Sequence, residues 1–398
     1  MLTDDSSPVS QELTGVPIGT LAANNIIVLD SNAIIEDYFL RGSYTETLVR
    51  AQSSLSFTIA VPDLVERECV RHYWNDLRGF LAKQERSLQR FLQNHDFFAL
   101  QDIFSDVSYY EQYLAKRLSD IGALRLPLPS VSHGTVVDRL LRRLRPFHQG
   151  DRSYRDFLIW CSIVELLKRS SCTVHFVTRD AGFTVEKKSG LIHPDFVAHL
   201  ISEGIESSRL ELWRSIPEFV DSQIFPALPR STSLLRQLES DLTLKSRLAT
   251  HFGKYGTDDS TWEHMAGVNA LGVPRSLFSI GLQSADPIDV EHITITEAAE
   301  LPDKHVLIKA RTPPFGAVLE VSVSPVSYQD HMPIRSFIEH RPLTFSGTGD
   351  NAVIKTVIPV DIVVELSAVT NLVSKDIISA QCQWWSTKEL KGRNASSE

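Results

Sequence analysis

Two acidic residues follow short apolar segments that have the composition of buried strands. Asp30 comes directly after the segment IIVL, and Asp180 lies two residues after HFVT. Ligand sites of open parallel sheets lie beyond the carboxyl ends of the strands, so we expect both side chains at one edge. The alternative is that each acid caps the helix that follows it. The pair therefore indicates either a polar site at a sheet edge or two helix caps.

Glu66 lies near the start of a predicted helix that ends at about residue 81. At about 100° per residue, Val70 and Leu77 share its face, whereas Glu68 is expected to face water. Glu66 could complete a capping box with Asp63. Capping does not explain why an acid lies on an apolar face, where an unpaired carboxylate is costly to bury. We therefore expect Glu66 to have a partner such as a cation.

Asp156 repeats this pattern in a helix predicted from about Ser153 to Lys168. Trp160 and Ile163 share its face, so a second acid lies at the centre of an apolar stripe. The alternative role for an acid in a first turn is a favourable interaction with the helix dipole. Two acids at strand ends and two in first helical turns can thus meet at one edge of a sheet.

Carboxylates gathered at one edge repel each other unless a divalent cation neutralises them. Their hard oxygen atoms select Mg²⁺ or Mn²⁺ over zinc, and the chain has no Cys/His zinc spacing. Such a cluster suits a metal-activated water that attacks a phosphodiester. The sequence therefore predicts a metal-dependent nuclease site. Its predicted catalytic and metal-binding members are Asp30, Glu66, Asp156 and Asp180.

The elements that would position these acids are apolar strands that alternate with helices. The strand-like segments lie at 25–30, 57–61, 173–178 and 210–213. This alternation is typical of a doubly wound α/β domain with a parallel central sheet. We place the domain at 25–225, with a mostly helical insert at 82–147 and a flexible lead-in at 1–24.

The pattern of the chain changes beyond residue 225. Residues 226–272 are expected to form a linker with one helix, SLLRQLESDLTLKSRLATHF, at 233–252. Residues 273–390 contain several segments, AVLEVSVS among them, that alternate apolar and polar residues. This pattern predicts a separate, mainly antiparallel β domain with a sandwich-like arrangement.

Composition and charge limit the classes of protein to consider. The chain has 398 residues, enough for two domains, and its formal net charge of −9 argues against gripping nucleic acid with its whole surface. Its four cysteines form no CxxC pair, which favours a reduced compartment. No segment has the pattern of a signal peptide or a membrane span. We therefore expect a cytoplasmic protein without a membrane partner.

A basic run leads directly into Asp156. Residues 136–155 are rich in arginine, and Arg179 lies beside Asp180. Cations beside an acid cluster are candidates for phosphate contacts, and Tyr154 could stack on an unpaired base. The alternative is a solvated helix face. The candidates for nucleic-acid binding are Arg139, Arg142, Arg143, Arg152, Arg155, Arg179 and Tyr154.

Four segments of the chain, in this order, resemble the PIN domain family. They are VLDSN at 28–32, VPDLVERE at 61–68, GDRSYRDFLIW at 150–160 and FVTRDAGF at 176–183. The third segment and the large helical insert are similar to the larger bacterial PIN-like proteins. The resemblance implies a three-layer α/β domain with a parallel central sheet.

The same resemblance implies a metal-dependent nuclease that acts on single-stranded RNA, with Mg²⁺ or Mn²⁺ as cofactor. The acids of the family match Asp30, Glu66, Asp156 and Asp180. Small polar residues that would support the site match Ser31, Asn32 and Thr178. Asp151 is an extra acid that either supports the metal or belongs to the cap before Ser153. PIN domains often form dimers, and such a nuclease would suit RNA decay, a toxin–antitoxin system or phage defence.

Two other functions are compatible with the sequence. Related metal–carboxylate folds cut DNA, and recognition of the 2′-hydroxyl depends on details of the pocket that the sequence does not reveal. The chain could also be a non-catalytic adaptor, in which the β domain binds nucleic acid or a protein regulator. The presence of every expected acid favours a nuclease over an adaptor.

Overall fold

The computed structural model describes residues 25–88, 108–147, 153–185, 190–254, 278–285, 288–323, 343–346 and 353–386. These residues divide into two compact units. The first comprises 25–40 and 52–221, and the second comprises 41–51 and 222–386. The predicted lead-in at 1–24 lies outside the described residues.

A five-stranded parallel sheet forms the centre of the first unit. Its strands are β1 (Asn25–Leu29), β2 (Phe57–Pro62), β3 (Leu124–Leu126), β4 (Thr173–Val177) and β5 (Leu210–Trp213). They lie in the order β3-β2-β1-β4-β5, and every neighbouring pair is parallel. The predicted α/β domain with a parallel central sheet is confirmed.

The composition of the central strands explains their place in the sheet. In β1 and β4 every residue after the first is buried. A short apolar run that is buried on both faces is typical of a parallel strand with helices on either side. Asn25 pairs with Thr173 and Leu29 with Val177, so β1 and β4 end level with each other. The residues that follow these two strands therefore emerge at the same edge.

Helices connect the strands and flank the sheet. Those between β1 and the end of the first unit are α1 (Ser31–Ile35), α2 (Ser43–Leu55), α3 (Asp63–Leu88), α4 (Ser108–Asp120), α5 (His133–Leu141), α6 (Tyr154–Arg169), α7 (Pro194–Ser202) and α8 (Ile216–Phe219). Most of α2 groups with the second unit, where the Tyr44 hydroxyl lies 2.9 Å from Oγ of Ser367. α3 continues to Leu88, past the predicted end near residue 81.

The second unit is built on one antiparallel sheet. Its described strands are β6 (Phe278–Ala285), β7 (Thr294–Leu301), β8 (His305–Arg311), β9 (Phe315–Val323), β10 (Leu343–Ser346), β11 (Val353–Asn371) and β12 (Ile377–Ser386). The predicted antiparallel β domain is confirmed. The described strands form a single hydrogen-bonded network, however, in place of the two sheets of a sandwich. β11 explains this, since its two halves pair with different neighbours on each side.

The helix predicted over 233–252 is two helices. They are α10 (Thr232–Glu239) and α11 (Leu242–Lys254). The short helix α9 (Phe225–Ala227) precedes them. The break follows from Asp241, whose Oδ1 accepts the N–H of Leu244 at 3.0 Å and so starts a new helix. Leu238, Leu244 and Leu248 are fully buried in the core of the β unit. These helices therefore supply part of that core.

None of the described helices is long and apolar enough to cross a membrane. The cysteines Cys69, Cys161 and Cys172 are buried as free thiols, and Cys382 is half-buried.

Candidate active site

Asp30 is the centre of a hydrogen-bonded group at the carboxyl edge of the parallel sheet. Its side chain is buried, with 4% of the residue exposed. Oδ1 accepts the N–H of Ser31 at 2.7 Å, and Oδ2 accepts Nδ2 of Asn32 at 2.8 Å and Oγ1 of Thr178 at 2.6 Å. The first contact makes Asp30 the N-cap of α1, and the others fix the second oxygen. The carboxylate therefore has a single well-defined orientation.

Thr178 connects this carboxylate to Asp180. Besides donating to Asp30, its Oγ1 accepts the N–H of Asp180 at 3.0 Å. Oδ1 of Asp180 in turn accepts the N–H of Gly182 at 2.7 Å, and Oδ1 of Asn32 accepts the N–H of Arg179 at 3.0 Å. The supporting residues expected from the sequence thus lie in the hydrogen-bonded group that joins the two strand-end acids.

The structure corrects the expectation for the two glutamates of α3. Glu68, expected to face water, is 7% exposed, and its carboxylate contacts the guanidinium of Arg155. Glu66 binds Arg125 instead, with Oε1 3.1 Å from Nη2. Glu68 interacts electrostatically with Asp30, whereas the charge that acts most strongly on Glu66 is that of Arg125. The prediction that Glu68 faces water is wrong, and Glu68 is a glutamate of α3 whose charge acts on both Asp30 and Asp156.

The error has a geometric cause. Val65 and Cys69 mark the buried side of α3, and neither is exposed. At about 100° per residue, Glu66 and Glu68 lie about 80° to either side of the midpoint between Val65 and Cys69 around the helix axis. Both glutamates therefore flank the buried face equally. Only the packing of the helix determines which flank meets the sheet edge, so apolar periodicity could not distinguish them.

Asp156 completes the acidic group. It lies in the first turn of α6, where the helix dipole favours a negative charge. Its carboxylate interacts electrostatically with those of Asp180, Asp30 and Glu68. The acids after β1 and β4 are thereby joined by one acid from α3 and one from α6. We call Asp30, Glu68, Asp156 and Asp180 the acid cluster.

Crowding and burial raise the pKa of two of these carboxyl groups. Burial raises the pKa of Asp30 to about 6, and repulsion by Glu68 and Asp180 adds to it, while the hydrogen bond from Thr178 lowers it. Burial likewise raises the pKa of Asp156 to about 7, and the other three carboxylates add repulsion. Positive charge brought into the cluster would relieve this repulsion.

The donor set fits a hard divalent cation. It consists of carboxylate oxygens supported by hydroxyl and amide groups, which are the ligands of Mg²⁺ and Mn²⁺. Within the described part of the chain, no three His, Cys, Asp or Glu side chains lie close enough together to hold one metal ion. Mg²⁺ usually binds through one or two carboxylates and keeps several waters, so it does not need such a cage. The predicted Asp151 lies outside the described residues.

The predicted nucleic-acid-binding residues fall into two groups. Arg142, Arg143, Arg179 and Tyr154 are exposed. Arg139 is 7% exposed, and its guanidinium lies 5.3 Å from the centre of the Phe157 ring. It is therefore part of the core and is not available at the surface. Arg152 lies outside the described residues.

Two predicted cations are engaged by acids of the first unit. Arg155 contacts Glu68 of the acid cluster, and Arg179 contacts Glu36. A further cation that the sequence reading missed is Arg214, which follows β5 and acts on Arg179 electrostatically. The signal for it was present, because Arg214 follows an apolar strand as Asp30 does.

The fold and the site together define an α/β domain whose parallel sheet gathers carboxylates at its carboxyl edge. Residues 27–183 match the family model of the PIN domain. This part of the chain is therefore a PIN domain, as the resemblance of its four segments implied. PIN domains are generally nucleases, and they typically depend on divalent metal ions. No curated protein and no solved structure matches the chain.

Proposed function

We propose that the chain is a metal-dependent endoribonuclease that cleaves single-stranded RNA at the acid cluster. The observation that carries this proposal is the pairing of Asp30 and Asp180 through Thr178, with Asp156 and Glu68 in electrostatic contact. Capping alone explains neither the burial of Asp30 nor the raised pKa values. A site for divalent cations accounts for both.

One or two carboxylates of the acid cluster would hold the cation directly, and the remaining members would act through its bound waters. When bound, Mg²⁺ or Mn²⁺ would supply an activated water and stabilise the leaving oxygen of a phosphodiester. Ser31, Asn32 and Thr178 keep the Asp30 carboxylate in one orientation, so no reorganisation is needed at that ligand.

Cations near the acid cluster provide contacts for the flanking phosphates of a strand. Arg179 and Arg214 follow neighbouring strands, since Thr178 N donates to the carbonyl oxygen of Trp213 at 2.8 Å. Phosphate contacts of this kind fix the register of a nucleic acid without reading its sequence. Tyr154, with 45% of its surface exposed, offers a ring on which an unpaired base can stack. These features support a single-stranded substrate.

The test is cleavage of labelled single-stranded RNA and of matched DNA by the full-length protein. Reactions would contain Mg²⁺, Mn²⁺ or EDTA, and Asp30→Asn would serve as the inactive variant. We expect RNA cleavage that requires metal and is lost in this variant. Asp120→Asn is the matched control, because Asp120 is exposed and pairs only locally with Lys116 on α4.

Each alternative has its own outcome in this experiment. Metal-dependent cleavage of DNA alone would replace the ribonuclease by a DNA nuclease. Full activity of Asp30→Asn would remove the acid cluster from the mechanism. Binding of RNA without cleavage, by folded protein in either metal, would favour the adaptor.

A further inference from the structure

Arg145 joins the end of the helical insert to the turn that carries Asp180. Its Nη1 donates to the carbonyl oxygen of Ala181 at 3.2 Å and to that of Gly182 at 3.4 Å. Within the turn, the N–H of Gly182 donates to Oδ1 of Asp180. The guanidinium of Arg145 therefore acts on the same short segment that orients the Asp180 carboxylate.

The backbone of Arg145 is fixed from both sides. Its N–H donates to Oδ2 of Asp195 at 2.8 Å, and its carbonyl oxygen accepts Nη2 of Arg139 at 2.6 Å. Arg139 is itself buried against Phe157. The anchored backbone keeps the base of the Arg145 side chain at a constant position relative to the turn. The side chain can therefore hold the turn in one position.

The turn leaves little room for the Asp180 carboxylate to move. A Cβ placed at Gly182 would lie 3.1 Å from Oδ1 and 3.3 Å from Oδ2 of Asp180. The carboxylate thus packs directly over the backbone of Gly182. A small rotation of the peptide groups in the turn would change where the carboxylate points.

We propose that Arg145 is a positioning residue that sets the orientation of the Asp180 carboxylate through the turn at Ala181 and Gly182. The inference rests on the proposed function, because it treats Asp180 as a ligand of the catalytic cation. Groups that hold metal ligands in place typically contribute about 10- to 100-fold to metal affinity. Arg145 acts through the backbone, so its removal is expected to cost about tenfold.

The experiment is a calorimetric titration of the full-length protein with Mn²⁺, without any substrate. The variants are Arg145→Ala, which removes the donor, and Arg145→Lys, which keeps a cation that can reach one carbonyl. We expect Arg145→Ala to weaken Mn²⁺ binding about tenfold, and Arg145→Lys to recover most of the loss.

Arg209 provides a matched control of the same chemistry at the opposite end of β4. Its Nε donates to the carbonyl oxygen of Cys172 at 3.1 Å, and its Nη2 to that of Leu167 at 3.0 Å. Arg209→Ala therefore also removes a guanidinium from backbone carbonyls, but away from the acid cluster. It is expected to destabilise the fold and to leave Mn²⁺ affinity unchanged.

The outcomes separate this inference from the proposed function. Wild-type affinity in Arg145→Ala, or equal losses in Arg145→Ala and Arg209→Ala, would overturn the positioning role and leave the metal site intact. Absence of Mn²⁺ binding by the wild type would overturn the metal site itself. If Arg145→Ala is poorly folded, Arg145→Met takes its place, because it keeps the apolar stem and removes the donors. Weakened Mn²⁺ binding by this variant at wild-type stability would support the role, and wild-type affinity would refute it.

Discussion

Removal of the charge on Asp30 is expected to stabilise the metal-free first unit at high pH and to destabilise it slightly at low pH. Catalytic acids usually cannot be replaced without loss of activity, but their charge often costs stability. The cost is large here because the side chain is buried with only neutral hydrogen-bond donors. Asp30→Asn in EDTA isolates that cost.

The direction follows from proton linkage. The folded-state pKa of Asp30 is raised from 3.8 to about 6, so the folded protein holds this proton more tightly than the unfolded chain. The contribution of this proton to the free energy of unfolding is fully present below about pH 4. It falls as the pH rises toward 6 and stays reduced above that pH. A difference of about two pKa units corresponds to about 3 kcal/mol. Roughly half of this loss is already present at pH 5.

The amide also loses a contact, which sets the net effect. In the wild type, Oδ1 accepts from Ser31, and Oδ2 accepts from Asn32 and Thr178. An asparagine that keeps its oxygen at the second position loses the bond to the backbone, at about 1 kcal/mol. The variant should thus be about 2 kcal/mol more stable than the wild type at pH 8. At pH 5 the advantage should be below about 1 kcal/mol.

Hydrogen exchange measures this difference within the first unit. Peptides that cover β1 and β4 would be followed in EDTA, and wild type and variant would be compared at the same pH so that intrinsic exchange rates cancel. At pH 8 we expect about 30-fold slower exchange in Asp30→Asn, since about 1.4 kcal/mol corresponds to a factor of ten. At pH 5 the ratio should fall to about threefold or less.

The control and the contradicting result are equally direct. Asp120→Asn removes an exposed carboxylate from the same unit and should leave exchange unchanged at both pH values. If Asp30→Asn were more stable than the wild type by the same amount at pH 5 and pH 8, the gain in stability would not arise from titration of Asp30. Faster exchange in the variant at pH 8 would mean that the buried carboxylate is not destabilising, and the reasoning would fail.

Three further substitutions test the arrangement of the site. Glu68→Gln is expected to reduce RNA cleavage by at least about tenfold, whereas Glu66→Gln should retain most of the activity. Equal losses in cleavage assays would contradict the placement of Glu68 in the acid cluster. Gly182→Ala should weaken Mn²⁺ binding about tenfold, because its methyl group would displace the Asp180 carboxylate, and unchanged calorimetric affinity would show that the contact is unimportant. Thr178→Val should lower the free energy of unfolding in urea by about 1–3 kcal/mol, because Asn32 Nδ2 and the Asp180 N–H lose their acceptor. Thr178→Ser keeps the hydroxyl and should restore the stability.

The strand-end acids could be predicted from the sequence because a general rule of parallel sheets places them. Asp30 and Asp180 needed only the recognition of two apolar strands and of the edge at which such strands end. Asp156 needed the additional observation that an acid lies on the apolar face of a helix. In each case a local pattern determines the position, and packing adds only the distances.

Glu68 and Arg139 show where local patterns fail. Both are charged residues on the buried side of the fold, where periodicity expects apolar side chains. Their burial depends on long-range partners, namely Arg155 for the glutamate and the Phe157 ring for the arginine. Those partners come from α6, outside the helices that carry Glu68 and Arg139. A rule that classifies residues by hydropathy therefore assigns both to the surface.

The short strand β3 and the network around β11 escape prediction for a different reason. Leu124–Leu126 is too short to show any periodicity, and its partner β2 is distant in sequence. β11 pairs with several strands because of its length, which alternation alone does not reveal. Sheet order depends on the return path of the chain rather than on the strands themselves.

The contact between Glu68 and Arg155 gives the acid cluster an internal counter-ion. Arg155 also lowers the pKa of the adjacent Asp156, so its charge acts on at least two carboxylates. A guanidinium has five N–H donors, and the contact to Glu68 uses only Nη1. Part of the group therefore remains free to meet a phosphate, and its side chain is 44% exposed. Arg155 therefore balances part of the charge of the acid cluster while it presents exposed N–H donors at the edge of the cluster.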